Sequence, residues 1–234
     1  MSSEVSGALV SCIVPVFNGE RYLREALDSI FTQTYCPIEV IVADDGSADG
    51  SRAVAETYGD RLRWLSQTTA GPAATRNLGV RAARGDLLAF LDADDLWKPD
   101  KLERQVAVLQ QLPELDACVC HAQMFWARDM LEEETLYRDH PRGQAIPGYA
   151  STTLLVRRRV FDRIGMFSED LWFADATDWF IRFREAKLAL HVLSEVLVLH
   201  RMHGSNLTRR RREASKTEFA SVIAATLSRR RAAP

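Results

Sequence analysis

Leu9-Val-Ser-Cys-Ile-Val-Pro-Val16 and Ile38-Glu-Val-Ile-Val-Ala43 are two short, nearly continuous apolar runs rich in β-branched residues. Runs without polar alternation predict strands covered on both faces, as in parallel α/β sheets. Between them, Leu23, Ala26, Leu27, Ile30 and Phe31 recur at helical spacing and form one apolar stripe, with Asn18 placed as a cap. Pro37 then stops the helical stretch. The unit reads strand, helix, strand.

The rhythm continues outward. Asp44-Asp-Gly-Ser47 makes a turn, Val54, Ala55 and Tyr58 mark a helix, and Leu62-Arg-Trp-Leu65 is a short strand. Gly71-Pro72 opens a third helix, and Gly85-Asp86 separates it from Leu87-Leu-Ala-Phe-Leu91. From Ala117 the pattern weakens, and residues 128–148, with Glu132-Glu-Glu134, predict an irregular loop. A strand at Thr152-Thr-Leu-Leu-Val156, a helix holding Val160, Phe161 and Ile164, a helix over 178–186, a strand over 193–200 and a helix over 213–227 complete the chain. No repeat or linker interrupts it, so a single α/β domain is expected. Its first half would be residues 1–116 and its smaller second half 117–208, followed by a basic tail, 209–234.

The 234 residues carry 30 Lys and Arg against 32 Asp and Glu, a net charge of −2, so no overall basic field argues for a nucleic-acid partner. With 47% apolar residues the chain can bury a real core. No apolar run reaches membrane-spanning length, and the start lacks a basic signal-peptide region, which predicts a cytoplasmic protein. Cys12, Cys36, Cys118 and Cys120 are too scattered for a disulfide framework. The Cys118-Val-Cys-His121 stretch reads as a strand with buried thiols rather than a zinc clip, which needs a turn between its ligands.

Chemistry concentrates where strands end. In open α/β sheets ligands bind at the carboxyl ends of strands, so Asp44, Asp45, Asp92, Asp94 and Asp95 should meet at one edge. Three carboxylates in Asp92-Ala-Asp-Asp95 repel one another unless a cation, protons or hydrogen-bond donors offset them. A hard ion, Mg²⁺ or Mn²⁺, suits oxygen ligands and implies a phosphorylated substrate. Each feature also has a plain reading: an acidic loop or cap, a turn at Asp44-Asp45, a solvated Arg76, an exposed His203.

Four segments, Ile13-Val-Pro-Val-Phe-Asn-Gly-Glu20, Glu39-Val-Ile-Val-Ala-Asp-Asp-Gly-Ser47, Gly71-Pro-Ala-Ala-Thr-Arg-Asn77 and Leu91-Asp-Ala-Asp-Asp-Leu96, together resemble family 2 glycosyltransferases of the GT-A fold. The resemblance implies a Rossmann-like mixed sheet flanked by helices and a metal-dependent, inverting transfer of sugar from a nucleotide-sugar donor, a UDP-sugar in many relatives. Pro15, Val16, Phe17 and Glu20 would line the nucleotide pocket, Asp45 would meet the base and Arg76 the diphosphate. Asp92-Ala93-Asp94 would be the DxD element, with Asp92 near ribose or sugar, Asp94 on Mn²⁺ or Mg²⁺, and Asp95 a further ligand or sugar contact. His203, in the late loop after the last strand, would be a third metal ligand or a diphosphate contact.

The acceptor-side resemblance is weaker. Val160-Phe-Asp-Arg-Ile-Gly-Met-Phe167 and Asp175-Ala-Thr-Asp-Trp-Phe-Ile-Arg182 resemble the region that supplies the general base. Aligning Arg182 with the family's arginine puts Ala176 at the usual catalytic Asp, leaving Asp178, preferred at a helix start, and Asp175. That departure keeps a catalytically degenerate nucleotide-sugar-binding or scaffolding domain as the alternative. The acceptor stays open among saccharide, lipid-linked sugar, protein and small molecule. The tail arginines could grip phosphate, touch a membrane surface peripherally or stay solvated. Neither G-x-G-x-x-G after a strand nor a P-loop is present.

Overall fold

The computed structural model describes residues 7–137 and 145–232. Its first part alternates β1 (Val10–Val16), α1 (Leu23–Phe31), β2 (Ile38–Asp44), α2 (Ser51–Glu56), β3 (Leu62–Ser66), α3 (Pro72–Ala82) and β4 (Leu87–Phe90). Then come β5 (Leu96–Trp97), α4 (Lys101–Gln111), β6 (Ala117–Trp126), α5 (Leu131–Tyr137), β7 (Ile146–Pro147), β8 (Leu155–Arg157) and α6 (Arg159–Ile164). The chain closes with α7 (Asp175–Glu185), β9 (Leu190–Met202), α8 (Leu207–Arg210) and α9 (Arg212–Ala232).

The nine strands of the described residues form one mixed sheet in the order β3-β2-β1-β4-β8-β6-β9-β5, with β7 on β6. β3, β2, β1 and β4 are parallel, and β8 turns antiparallel to both β4 and β6. β9 runs parallel to β6, and β5 pairs antiparallel with β9. The expected mixed α/β sheet is therefore present, and the two halves of the sequence share it.

β1 alternates between two cores because successive strand side chains point to opposite faces. Val10, Cys12 and Val14 join Leu23, Leu27 and Ile30 of α1, whereas Ile13 joins Ala73 and Val80 of α3. The second core also holds an aromatic cluster, in which Phe161, Phe167 and Trp179 pack with ring centroids 5.2–5.9 Å apart. α3 lies so close to β1 that a Cβ on Gly79 would collide with the Ile13 side chain.

Several local expectations change. Asn18 does not cap α1: it takes a left-handed φ of 51°, its Oδ1 accepts from the Ala48 N–H, and α1 starts only at Leu23. Residues 128–148 are not simply a loop, since they contain α5 and β7; residues 138–144 lie outside the described residues. Ser151–Thr153 forms a 3₁₀ turn, so the strand expected at 152–156 begins at Leu155. α4, unmarked by any cap or motif, buries Leu102, Val106 and Leu109. The tail becomes α8 and α9, with the Arg229–Arg231 side chains outside the description. No described helix is long and apolar enough to cross a membrane.

Cys12, Cys118 and Cys120 are buried thiols and Cys36 is exposed. Burial pushes Cys12 and Cys118 up to about 12 and also raises Cys120. Lys101, fully buried near them, is lowered by the same loss of solvation; its Nζ donates to Gln105 Oε1 and lies 4.2 Å from the centre of the Trp97 ring.

Candidate active site

The carboxyl ends of β1, β2 and β4 meet because their backbones are bonded laterally. Asp45 N donates to Val16 O at 2.9 Å and Leu91 N to Ile13 O at 3.0 Å. The loops beyond are tied side chain to backbone: Asn18 N to Ser47 Oγ (2.8 Å), Gly19 N to Ser51 Oγ (2.9 Å) and Gly50 N to Glu20 Oε2 (3.0 Å). A Cβ on Gly19 would lie 3.3 Å from that of Ala93, so the first loop touches the acidic turn. Here Pro15 is half-buried, Val16 is buried and the Phe17 ring is 55% exposed.

Asp45 is buried, and its carboxylate organises the loop that opens α3. Oδ1 accepts from Gln67 Nε2 (2.8 Å) and Ala70 N (2.9 Å), and Oδ2 from Gly71 N (3.0 Å). A carboxylate has roughly four acceptor positions, and these three donors fill all but one of them. Gly71 takes a φ of 96°, and a Cβ there would stand 3.2 Å from the Trp172 ring, so both conformation and space call for glycine.

Arg76 is buried between two carboxylates rather than solvated. Its Nη2 lies 2.9 Å from Asp92 Oδ1 and its Nη1 2.7 Å from Asp175 Oδ2. Burial works against its charge, but Asp175 and Asp92 outweigh that and keep the guanidinium protonated. Asp175, the first residue of α7, has its carboxyl raised chiefly by burial, against the pull of Arg76.

The acidic turn divides its carboxylates by direction. Asp95 N bonds Asp92 O at 3.0 Å, closing a tight turn. Asp94, with a side chain 30% exposed, faces the late loop: His203 Nε2 lies 2.8 Å from its Oδ2 and Asn206 Nδ2 3.3 Å away. Burial opposes the Asp94 charge, but the His203 hydrogen bond and the charges of His200 and His203 hold the carboxyl below its usual range. Asp95 is fully buried and bonded to His200 Nδ1 (2.9 Å) and Arg201 N (2.9 Å), so its carboxylate is taken up by the end of β9.

Asp94 and His203 thus offer one oxygen and one nitrogen donor; among the described residues no group of three His, Cys, Asp or Glu converges. Such a pair fits a hard divalent ion that completes its shell with phosphate and water, as Mg²⁺ does, and suits Mn²⁺ equally.

Asp178 has a partner of its own. Its Oδ2 pairs with Arg182 Nε at 2.8 Å, and Arg182 donates to the Ile164 and Met166 carbonyls. That pair holds the residues before Phe167, whereas the Asp92–Arg76–Asp175 line includes Asp175. Of the tail, Arg209 forms a bidentate pair with Glu133 and Arg211 stacks on Trp172 at 5.2 Å, so neither is simply solvated. Gln67, Ser51, Asn206, Trp172 and His200 carry no local signature of their roles. Their partners are mostly distant in sequence, and only His200 and Asn206 sit within a segment read as functional.

The fold and this edge define the class. *S. aureus* TarS 1–349 in complex with UDP-GlcNAc superposes with a TM-score of 0.74 at 22% identity, over 93% of this chain and 65% of that one. The mannosyltransferase PcManGT from *Pyrobaculum calidifontis*, in complex with GDP-Man and Mn²⁺, gives 0.69 at 23% identity, over 94% and 65%. Both are GT-A transferases, and the chain has their fold. The family model described as Glycosyl transferase family 2 matches residues 11–165, and the chain belongs to that family. An uncharacterized glycosyltransferase of *Rickettsia prowazekii* (strain Madrid E), RP339, is 32% identical over 224 residues, covering 89% of this chain and 68% of the relative. *Bacillus subtilis* (strain 168) EpsJ is 30% identical over 218 residues, covering 86% and 63%.

Proposed function

We propose that the chain transfers a sugar from a nucleoside diphosphate sugar, a UDP-sugar, to an acceptor nucleophile with inversion at the anomeric carbon. The observation that carries this reading is the meeting, at one sheet edge, of the Asp94–His203 pair with the Asp92–Arg76–Asp175 line. Asp94 and His203 would hold Mn²⁺ or Mg²⁺, which when bound offsets the charge of the departing diphosphate. Ala93 is the spacer of this turn and packs under Gly19.

The nucleotide would lie over the Pro15–Glu20 loop, its base against the exposed Phe17 ring and the free acceptor position of Asp45. The loop that Asp45 secures shapes the rest of that pocket. Glu20 acts by fixing the Gly50 N–H, which keeps the second loop in place. Asp175 takes the acceptor's proton as nucleophilic attack proceeds opposite the diphosphate. A carboxyl made more basic by burial suits that task, and Arg76 aims it while balancing Asp92. Ala176, at the usual base position of the family, is answered by the carboxylate one residue earlier. The Asp175 carboxylate held on Arg76 also favours an enzyme over an inert binding domain, which needs no base.

The test is a calorimetric screen of UDP- and GDP-sugars with Mn²⁺ or Mg²⁺, followed by UDP release. Asp94→Asn should lower metal-dependent release at least a hundredfold while the circular dichroism spectrum is unchanged. Release that is equally fast in chelator, or no nucleotide binding with either metal, would overturn the reading.

A further inference from the structure

Glu218 of α9 reaches across to the residues that precede Asp175. Its Oε1 accepts from Phe173 N and Ala174 N, both at 2.7 Å, and its Oε2 from Trp172 N at 3.1 Å. Ala174 is the cap residue of α7 and has no side-chain cap of its own. The first N–H groups of a helix need acceptors, and a carboxylate there also complements the helix dipole. Glu218 supplies the charge and the acceptor for the first of these groups, the Ala174 N–H, from 44 residues away, and its other two bonds hold the chain that leads into the helix.

A second contact from the same part of the chain secures this segment. The Arg211 guanidinium lies 5.2 Å from the Trp172 ring centre, and Trp172 covers Gly71, whose N–H is bonded to Asp45. Residues 172–174 are therefore clamped between the C-terminal helices and the donor-side loop. Asp175, next in the chain, makes its 2.7 Å contact with Arg76 from this support.

From this geometry we infer that Glu218 is a positioning residue for the transfer reaction: it fixes the start of α7 and so holds the Asp175 carboxylate on the Arg76 line. The inference rests on the proposed role of Asp175 as base. It makes the C-terminal helix a working part of the site, in a region that the family model does not reach.

The experiment is a double-mutant cycle on the full chain, read as UDP release from the donor chosen by the calorimetric screen. Glu218→Ala should lower turnover at least tenfold with the donor KM within twofold of the parent. Glu218→Gln, whose amide oxygen can keep the bonds to Phe173 and Ala174, should stay within threefold. In an Asp175→Asn background, Glu218→Ala should cost less than twofold further. If Glu218→Ala does not fold, Glu218→Asp, which keeps the charge but withdraws it by one methylene, takes its place with the same expected loss. Asp175→Asn at full rate overturns both the base and the positioning role. A slow Asp175→Asn alongside a Glu218 variant at full rate overturns the positioning role alone. So does a Glu218 effect of equal size in both backgrounds, or one that appears only in KM.

Discussion

Arg76 shows how much one side chain can decide. A guanidinium presents a planar fork that spans two carboxylates, whereas an ammonium is a point charge. Arg76→Lys should therefore retain the fold but lose the simultaneous contacts to Asp92 and Asp175. Arg76→Met leaves buried Asp175 without its cation, an arrangement that costs roughly 3–5 kcal/mol in comparable buried pairs. Urea unfolding should show the larger loss for Met, and UDP release a loss for both. The acidic turn was legible in the sequence as charges needing partners, whereas Arg76 stood out only through the resemblance. Which carboxylate faces which partner was not, because the 92–95 turn sends Asp94 outward and Asp95 inward within one residue. The spacing of Asp178 and Arg182 did hold a signal: an i,i+4 pair on one helix face is a ready ion pair, which favours a structural carboxylate over a base.

Among the elements, α3 is the one whose packing can be tested against its propensity. In a solvated helix, Gly→Ala gains about 1 kcal/mol. At Gly79 the added methyl would strike Ile13 on β1, and overpacking of this kind typically costs about 1–3 kcal/mol. Gly79→Ala should thus lower the urea midpoint, and because the atom struck is Ile13 Cγ2, which valine would keep, an Ile13→Ala change that removes it should make the two losses less than additive in the double variant. The apolar stripe of α1 and the doubly covered runs of β1 and β2 made those elements readable, since their burial follows from local pattern. β9 was less readable: its full length depends on pairing with β6, some 70 residues away, through an irregular register. Nothing local extends it to Met202, yet that extension is what delivers His203 to Asp94.

Over the whole molecule, the buried thiols link stability to pH. An unfolded thiol ionises near about 8.5, while Cys12 and Cys118 stay protonated up to about 12 in the fold. The folded state then holds protons that the unfolded state has released, so stability present below pH 8.5 is lost as pH rises toward 12. At pH 10 the loss is about 2 kcal/mol for each of these two thiols. Lys101 works the other way, because burial lowers it and the unfolded chain takes up the proton that the folded chain refuses. One amine does not offset three raised thiols, so the urea midpoint should fall between pH 8 and pH 10, and less steeply in Cys12→Ala.

The fourth cysteine turns the same burial pattern to use. Cys36 is exposed just before β2, at the end of that strand away from Asp44 and Asp45, and a seven-residue strand is about 20 Å long. A maleimide dye added to the native protein would attach at a single point, leaving the catalytic rim unobstructed and giving it a fluorescent observer on the opposite shore of the sheet.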